Sequence, residues 1–167
     1  VFVPGANGNG IGYAGFDFSV QDSAGSFDTA PNRVSFDIAP VNDAPTQVLP
    51  AAQQSTPEDT AHLFSGATGN AISVADVDGG LLTTMIAVDH GSLTVSLAGG
   101  AIVTGNGSGV LTLSGTAAEI NAALDGLSYQ PAANYSGPDS LTVSTSDGEA
   151  APTVSSIGIA VVPVADA

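Results

Sequence analysis

Carboxylates recur along this chain at spacings that suit one kind of chemistry, the holding of a hard cation. Asp76-Val77-Asp78-Gly79-Gly80 follows an apolar, β-branched run, and an alternate-residue Asp pair leaving a strand for a turn can aim both carboxylates at one point. Thr56-Pro57-Glu58-Asp59 lies some twenty residues earlier. Asp147 closes a strand-like run at Ser146-Asp147-Gly148, and two short polar breaks, Val41-Asn42-Asp43-Ala44 and Val164-Ala165-Asp166-Ala167, follow β-branched segments. Three or four carboxylates gathered within ~5 Å repel one another unless something neutralises them. Ca²⁺ accepts such all-oxygen, flexible donor sets. Zinc is disfavoured, because His62 and His90 are the only soft ligands and there is no cysteine. The competing reading of each acid is a solvated turn residue.

Other chemistries fit less well. Asp76 could open an EF-hand loop, but Leu81 stands where that loop needs its glycine and Ala87 where it needs its glutamate. His62 lies near Asp59 and His90 beside Asp89 among many serines, yet no Gly-x-Ser-x-Gly turn between strand and helix is present, so no catalytic role is expected. Sixteen acids face a single base, Arg33, for a net charge of −15, which repels nucleic acid and anionic membrane surfaces. No apolar run reaches the ~20 residues that insertion in a bilayer requires. Abundant acid also serves solubility.

The elements that must position these residues read as β-strands. Twenty-one glycines and ten prolines punctuate short runs of alternating or β-branched residues at 61–65, 71–75, 82–88, 92–97, 110–114, 127–130, 140–144 and 156–162. Asp89-His90-Gly91 reads as a hairpin turn, and Gly99-Gly100 and Gly105-Asn106-Gly107 as further reversals. One stretch is helical: Thr116 with Glu119 forms a capping box, Ile120, Leu124 and Leu127 share a face, and Gly126 suits the C-terminal end. Seven or so strands with one short helix predict an all-β Greek-key sandwich of immunoglobulin or cadherin-like type. In that topology the strands before Asp76 and Asp147 end at one pole, where Asn42 and Asp43 would join them.

The chain also repeats itself at a spacing of about 125 residues. Phe2-x-Pro4 through Asn7 falls on Tyr129-x-Pro131 through Asn134, Phe16-Asp17-Phe18 through Asp22 on Leu141-Thr142-Val143 through Asp147, and Asp43-Ala44 on Asp166-Ala167. Residues 1–43 therefore read as the C-terminal strands and linker of a preceding repeat, and 44–167 as a complete repeat ending in the next linker. The chain opens at Val1 in mid-pattern, as an excerpt of a longer protein would.

Pro57-Glu58, Asp76-Val77-Asp78, Ser144-Thr145-Ser146-Asp147 and Asn42-Asp43 resemble the Pro-Glu, Asp-x-Asp, strand-end Asp and linker motifs of cadherin repeats. More specifically PVNDAP, TPEDTA, SDG and the stretch from Leu113 to Val143 resemble the bacterial cadherin-like tandem repeats of giant surface adhesins. The resemblance implies a Ca²⁺-rigidified spacer of a secreted or cell-surface protein active in adhesion and biofilm. Its ligands would be Asn42, Asp43, Asp76, Asp78 and Asp147 at one junction, with Glu58 and Asp166 at the other. Its partners would be neighbouring repeats of the same chain. A cell-surface glycan or protein, or further copies in a self-assembling filament, are the alternatives. Two departures stand out: the family's acidic Asp-Arg-Glu position is the uncharged Ser128-Tyr129-Gln130, and Ala165 replaces the linker asparagine.

Overall fold

In the computed structural model, which describes residues 1–165, the chain forms two compact units, one over Val1–Asn42 and one from Asp43 onward. The first unit is a hairpin of β1 (Gly10–Phe18) and β2 (Asn32–Ile38), paired antiparallel with Phe16 opposite Val34 and Phe18 opposite Asn32. Phe2 stacks on Phe36 at 5.0 Å, yet Phe16 remains 53% exposed and Phe27 62%. A lone two-stranded ribbon offers no second layer to cover such rings. The aromatic residues divide accordingly: Phe64 and Tyr129 are fully buried in the second unit, while the rings of the first unit line an open face.

The second unit runs β3 (Thr46–Val48), β4 (Gln54–Pro57), β5 (His62–Phe64), β6 (Ser73–Ala75), β7 (Leu82–Ala87), β8 (Gly91–Thr94), β9 (Ile102–Thr104), β10 (Val110–Gly115), α1 (Ala117–Leu124), β11 (Leu127–Pro131), β12 (Gly137–Ser146) and β13 (Thr153–Val162). A six-stranded sheet has the order β4-β13-β12-β7-β10-β9, and a three-stranded sheet the order β5-β11-β8. β3 and β6 form a separate pair. Period-two alternation turns Leu82 and Ile86, Leu111 and Leu113, and Leu141 and Val143 inward, where they join Phe64, Leu93, Leu127 and Tyr129 in one apolar core. The architecture is an immunoglobulin-like β-sandwich.

The helix forms where the capping box predicts it. Thr116 Oγ1 accepts the Glu119 amide at 3.3 Å, and Glu119 Oε2 accepts the Thr116 amide at 2.8 Å. Ile120, Ala123 and Leu124 face the core. Leu127, expected on the same helical face, instead opens β11, because the helix stops at Leu124 and Gly126, at φ +108°, turns the chain so that its N–H reaches the Phe64 carbonyl. β3, β4 and β9 carry no alternation of their own and become strands by pairing: β4 runs parallel to β13, β9 antiparallel to β10 and β3 antiparallel to β6.

The Asp89-His90-Gly91 segment is not a hairpin turn. β7 lies in the six-stranded sheet and β8 in the three-stranded one, so the segment crosses between layers. Asp139, 7% exposed on an inward position of β12, accepts the amides of Asp89 and His90 at 3.1 Å each and its own Ser140 amide at 2.8 Å. The Tyr129 hydroxyl completes the knot at 2.7 Å from Asp139 Oδ2. Gly91 is obligatory here, since a Cβ would sit 2.6 Å from the Tyr129 ring.

Burial alone would push the Asp139 carboxyl up, but the Tyr129 hydroxyl and the amides of Ser140, Asp89 and His90 together outweigh it, and it titrates below its ordinary range. A depressed folded value adds stability that is present above the ordinary carboxylate pKa of ~3.9 and is lost as pH falls through the lower folded value. Urea unfolding of Asp139→Asn should therefore show a loss of about 3 kcal/mol at neutral pH. It should also show a shallower fall in stability below about pH 4 than wild type. Thr116→Ala should cost about 1 kcal/mol in the same assay, independent of pH in the neutral range.

Candidate functional site

The loops after β6 and β12 lie at the same end of the sandwich, because Ser146 at the end of β12 pairs with Thr83 at the start of β7. The Asp-Val-Asp turn is built from the backbone outward. Asp76 follows β6, and its Oδ1 accepts the Asp78 amide at 2.9 Å, closing the turn that Gly79 and Gly80 continue at φ +75° and +95°. Oδ2 of Asp76 is shielded from solvent and has no hydrogen-bond partner. Asp78 Oδ2 accepts the Asp43 amide at 2.6 Å, so the residue that opens the second unit is tied to the turn. Asn42 is the last residue of the first unit.

Two amide side chains hold this end in register. Asn121 on α1 clamps Val74 of β6, its Oδ1 accepting the Val74 amide at 2.8 Å and its Nδ2 donating to the Val74 carbonyl at 2.9 Å. Gln47 on β3 places Nε2 2.9 Å from both Thr145 Oγ1 and the Thr153 carbonyl. Thr153 Oγ1 in turn donates to the Pro45 carbonyl at 2.6 Å. The chain entering at Asp43 is thereby sewn to both β6 and the β12–β13 hairpin. Asp147 Oδ1 accepts the amides of Glu149 and Ala150 at 2.9 Å each, shaping the loop that leaves β12.

Glu58 stands at the opposite end. Its amide donates to the Val162 carbonyl at 2.8 Å and its Oε1 accepts the Val164 amide at 2.7 Å, so it grips the chain leaving β13. Asp166, its expected companion, lies outside the described residues. Asp59 binds a distant loop: from a left-handed backbone (φ 59°) its Oδ1 accepts the amide of Asn134 at 3.0 Å. His90 stacks on Tyr135 at 4.2 Å near by.

The seven expected ligands thus do not form one group. Asp43, Asp76 and Asp78 are linked by hydrogen bonds, Asp147 borders the same end, and Glu58 is at the other. Among the described residues no three His, Asp or Glu side chains converge into a ready-made cage. The donor set is nonetheless suited to Ca²⁺: all oxygen, anionic, and including one buried carboxylate oxygen with nothing to satisfy it. Leaving such an acceptor unpaired costs on the order of 1–3 kcal/mol.

The histidines serve packing. His62 bridges β5 to β4, with Nε2 3.1 Å from Gln54 Oε1 and 3.2 Å from Asn70 Nδ2, and burial lowers its pKa, an effect that a hydrogen bond from the imidazole to the Ser55 backbone only partly offsets. What the motif reading missed is the Asp139–Tyr129 knot. The available signal was register: Asp139, Leu141, Val143 and Thr145 alternate on one face, so an inward Asp demanded donors.

A two-layer sandwich with paired clamps at both chain ends defines an immunoglobulin-like module. Residues 42–160 match the family model described as bacterial Ig domain, and the chain belongs to that family. The match fits the bacterial Ig and cadherin-like resemblance of the motifs. No curated protein matches the chain. Among the described residues no helix is long and apolar enough to cross a membrane.

Asp78→Ala should release the Asp43 amide. Its hydrogen exchange should accelerate about tenfold for a lost charged hydrogen bond of about 1.5 kcal/mol, while the Val74 amide on Asn121 keeps its protection.

Proposed function

We propose that the chain is an extender segment of a large bacterial surface or secreted adhesin, whose junctions are stiffened by Ca²⁺. The observation that carries this reading is the tie between Asp43 and Asp78, two residues from the unpartnered Oδ2 of Asp76. The segment joining the units is already bonded to the turn in which a buried carboxylate oxygen lacks a partner. Asp43, Asp76, Asp78 and Asp147 would hold the ion, with Asn42 as a neutral oxygen donor, and Glu58 with Asp166 would serve the next junction. When bound, Ca²⁺ would neutralise these carboxylates and link the incoming chain to the sandwich. Asn121 and Gln47 keep β6 and β3 from shifting under load, so a pull on Asp43 is passed into the sheets.

The first unit supports the tandem reading. Its β1–β2 hairpin corresponds to β12–β13 in the repeat, and the corresponding Asn7 and Asn134 both adopt left-handed backbones, at φ 58° and 56°. Its uncovered rings are what the last two strands of a sandwich look like without their opposite layer. The role is mechanical and extracellular, where modules of this kind bind Ca²⁺ at ~10⁻⁴–10⁻³ M, so that body fluids or sea water would fill them and the cytosol would not.

Calorimetric titration should detect Ca²⁺ binding to wild type and at least a tenfold loss in Asp76→Ala/Asp78→Ala. Calcium at a hundredfold excess over Kd should stabilise the second unit by about 2.7 kcal/mol. Small-angle scattering should show a narrower range of inter-unit distances with calcium than with chelator. An identical scattering profile and no heat of binding would reject the reading.

A further inference from the structure

The outward surface of the six-stranded sheet bears no charge. Its strands are QSTP, TVSSIGIAVV, GPDSLTVSTS, LTTMIA, VLTLSG and IVT, and their one acid, Asp139, points inward and is buried. Every other described acid of the second unit stands in a loop or on α1. Thr83 and Met85 on β7, Thr142 and Ser144 on β12, Val110 on β10 and Val154 on β13 present hydroxyls and aliphatic groups instead; Met85 is 45% exposed and lies directly opposite Ser144 in the pairing of β7 with β12.

We propose that this face is a self-association surface whose occupant is a second copy of this chain, packed sheet against sheet. Charge selects the face. With sixteen acids and one base, two copies have almost no ion pairs to offer each other, and contact through the loops at either end sets carboxylate against carboxylate. Here no carboxylate intervenes. A symmetric contact must also be self-complementary, and hydroxyls meet that demand because each both donates and accepts, whereas a carboxylate only accepts.

The area is adequate for a reversible dimer. Six strands about 4.8 Å apart and about 20 Å long cover roughly 600 Å² per copy, somewhat below the ~800 Å² per partner of a standard interface. Small side chains allow sheets to approach to the usual ~10 Å. The outer face of the other layer spans only three strands.

Sedimentation equilibrium of the 167-residue chain, from micromolar to millimolar and with chelator throughout, tests this separately from any role of calcium. A reversible dimer is expected, tightening as added salt screens the net charge. Met85→Glu, and independently Thr142→Glu, should weaken it at least tenfold; Leu63→Glu, on the outer face of β5, should leave it unchanged, with circular dichroism showing native folding of each. A monomer at every concentration and salt level overturns the proposal. So does a dimer indifferent to both glutamates on this face, which would point to the aromatic face of the first unit, or one equally weakened by Leu63→Glu.

Discussion

A chain with sixteen carboxylates and one guanidinium has almost no internal means of neutralising its charge, and the structure follows from that constraint. Each acid must stay in water, be saturated by N–H and O–H donors, or be neutralised from outside. The single ion pair among the described residues, Arg33 with Asp17 at 3.6 Å, is exposed and worth less than about 1 kcal/mol. Asp139 is the one buried acid among the described residues, and four donors surround it. The remaining described acids of the second unit are confined to loops and the helix, which leaves the strands neutral and the core free to close by alternation alone.

That partition puts charge where the chain enters and leaves the sandwich. At one end the acids shape backbone: Asp76 closes its own turn, Asp78 takes the Asp43 amide and Asp147 takes two amides of its loop. At the other, Glu58 takes the Val164 amide. These carboxylates bond backbone amides where the chain enters and leaves the sandwich, outside the apolar core. Asp76 Oδ2 is the exception, a shielded oxygen with no donor. Both the calcium reading and the sheet-face proposal are consequences of one charge distribution, the first of where the acids are and the second of where they are not.

Much of this was open to reading from residue order. Thr116 and Glu119 announced the helix because a capping box is local, completed within four residues. The alternation in 82–88, 110–114 and 140–144 announced the central strands because burial on one face of a pleated ribbon imposes period two. The polar turns at 76–80 and 147–148 were visible for the same reason: Asp-x-Asp-Gly-Gly and Ser-Asp-Gly encode their own conformation.

Tertiary structure decided what depends on distant partners. Whether Ala87 and Gly91 flank a hairpin or a crossover between layers turned on Asp139, some fifty residues away, capturing the Asp89 and His90 amides. β4 and β9 exist only because β13 and β10 offer them an edge, and Asp59 caps a loop that begins seventy residues later. Local propensity is written in the order of residues; pairing at a sheet edge and the saturation of a buried carboxylate are set by which segments meet, and that is determined only when the whole core closes.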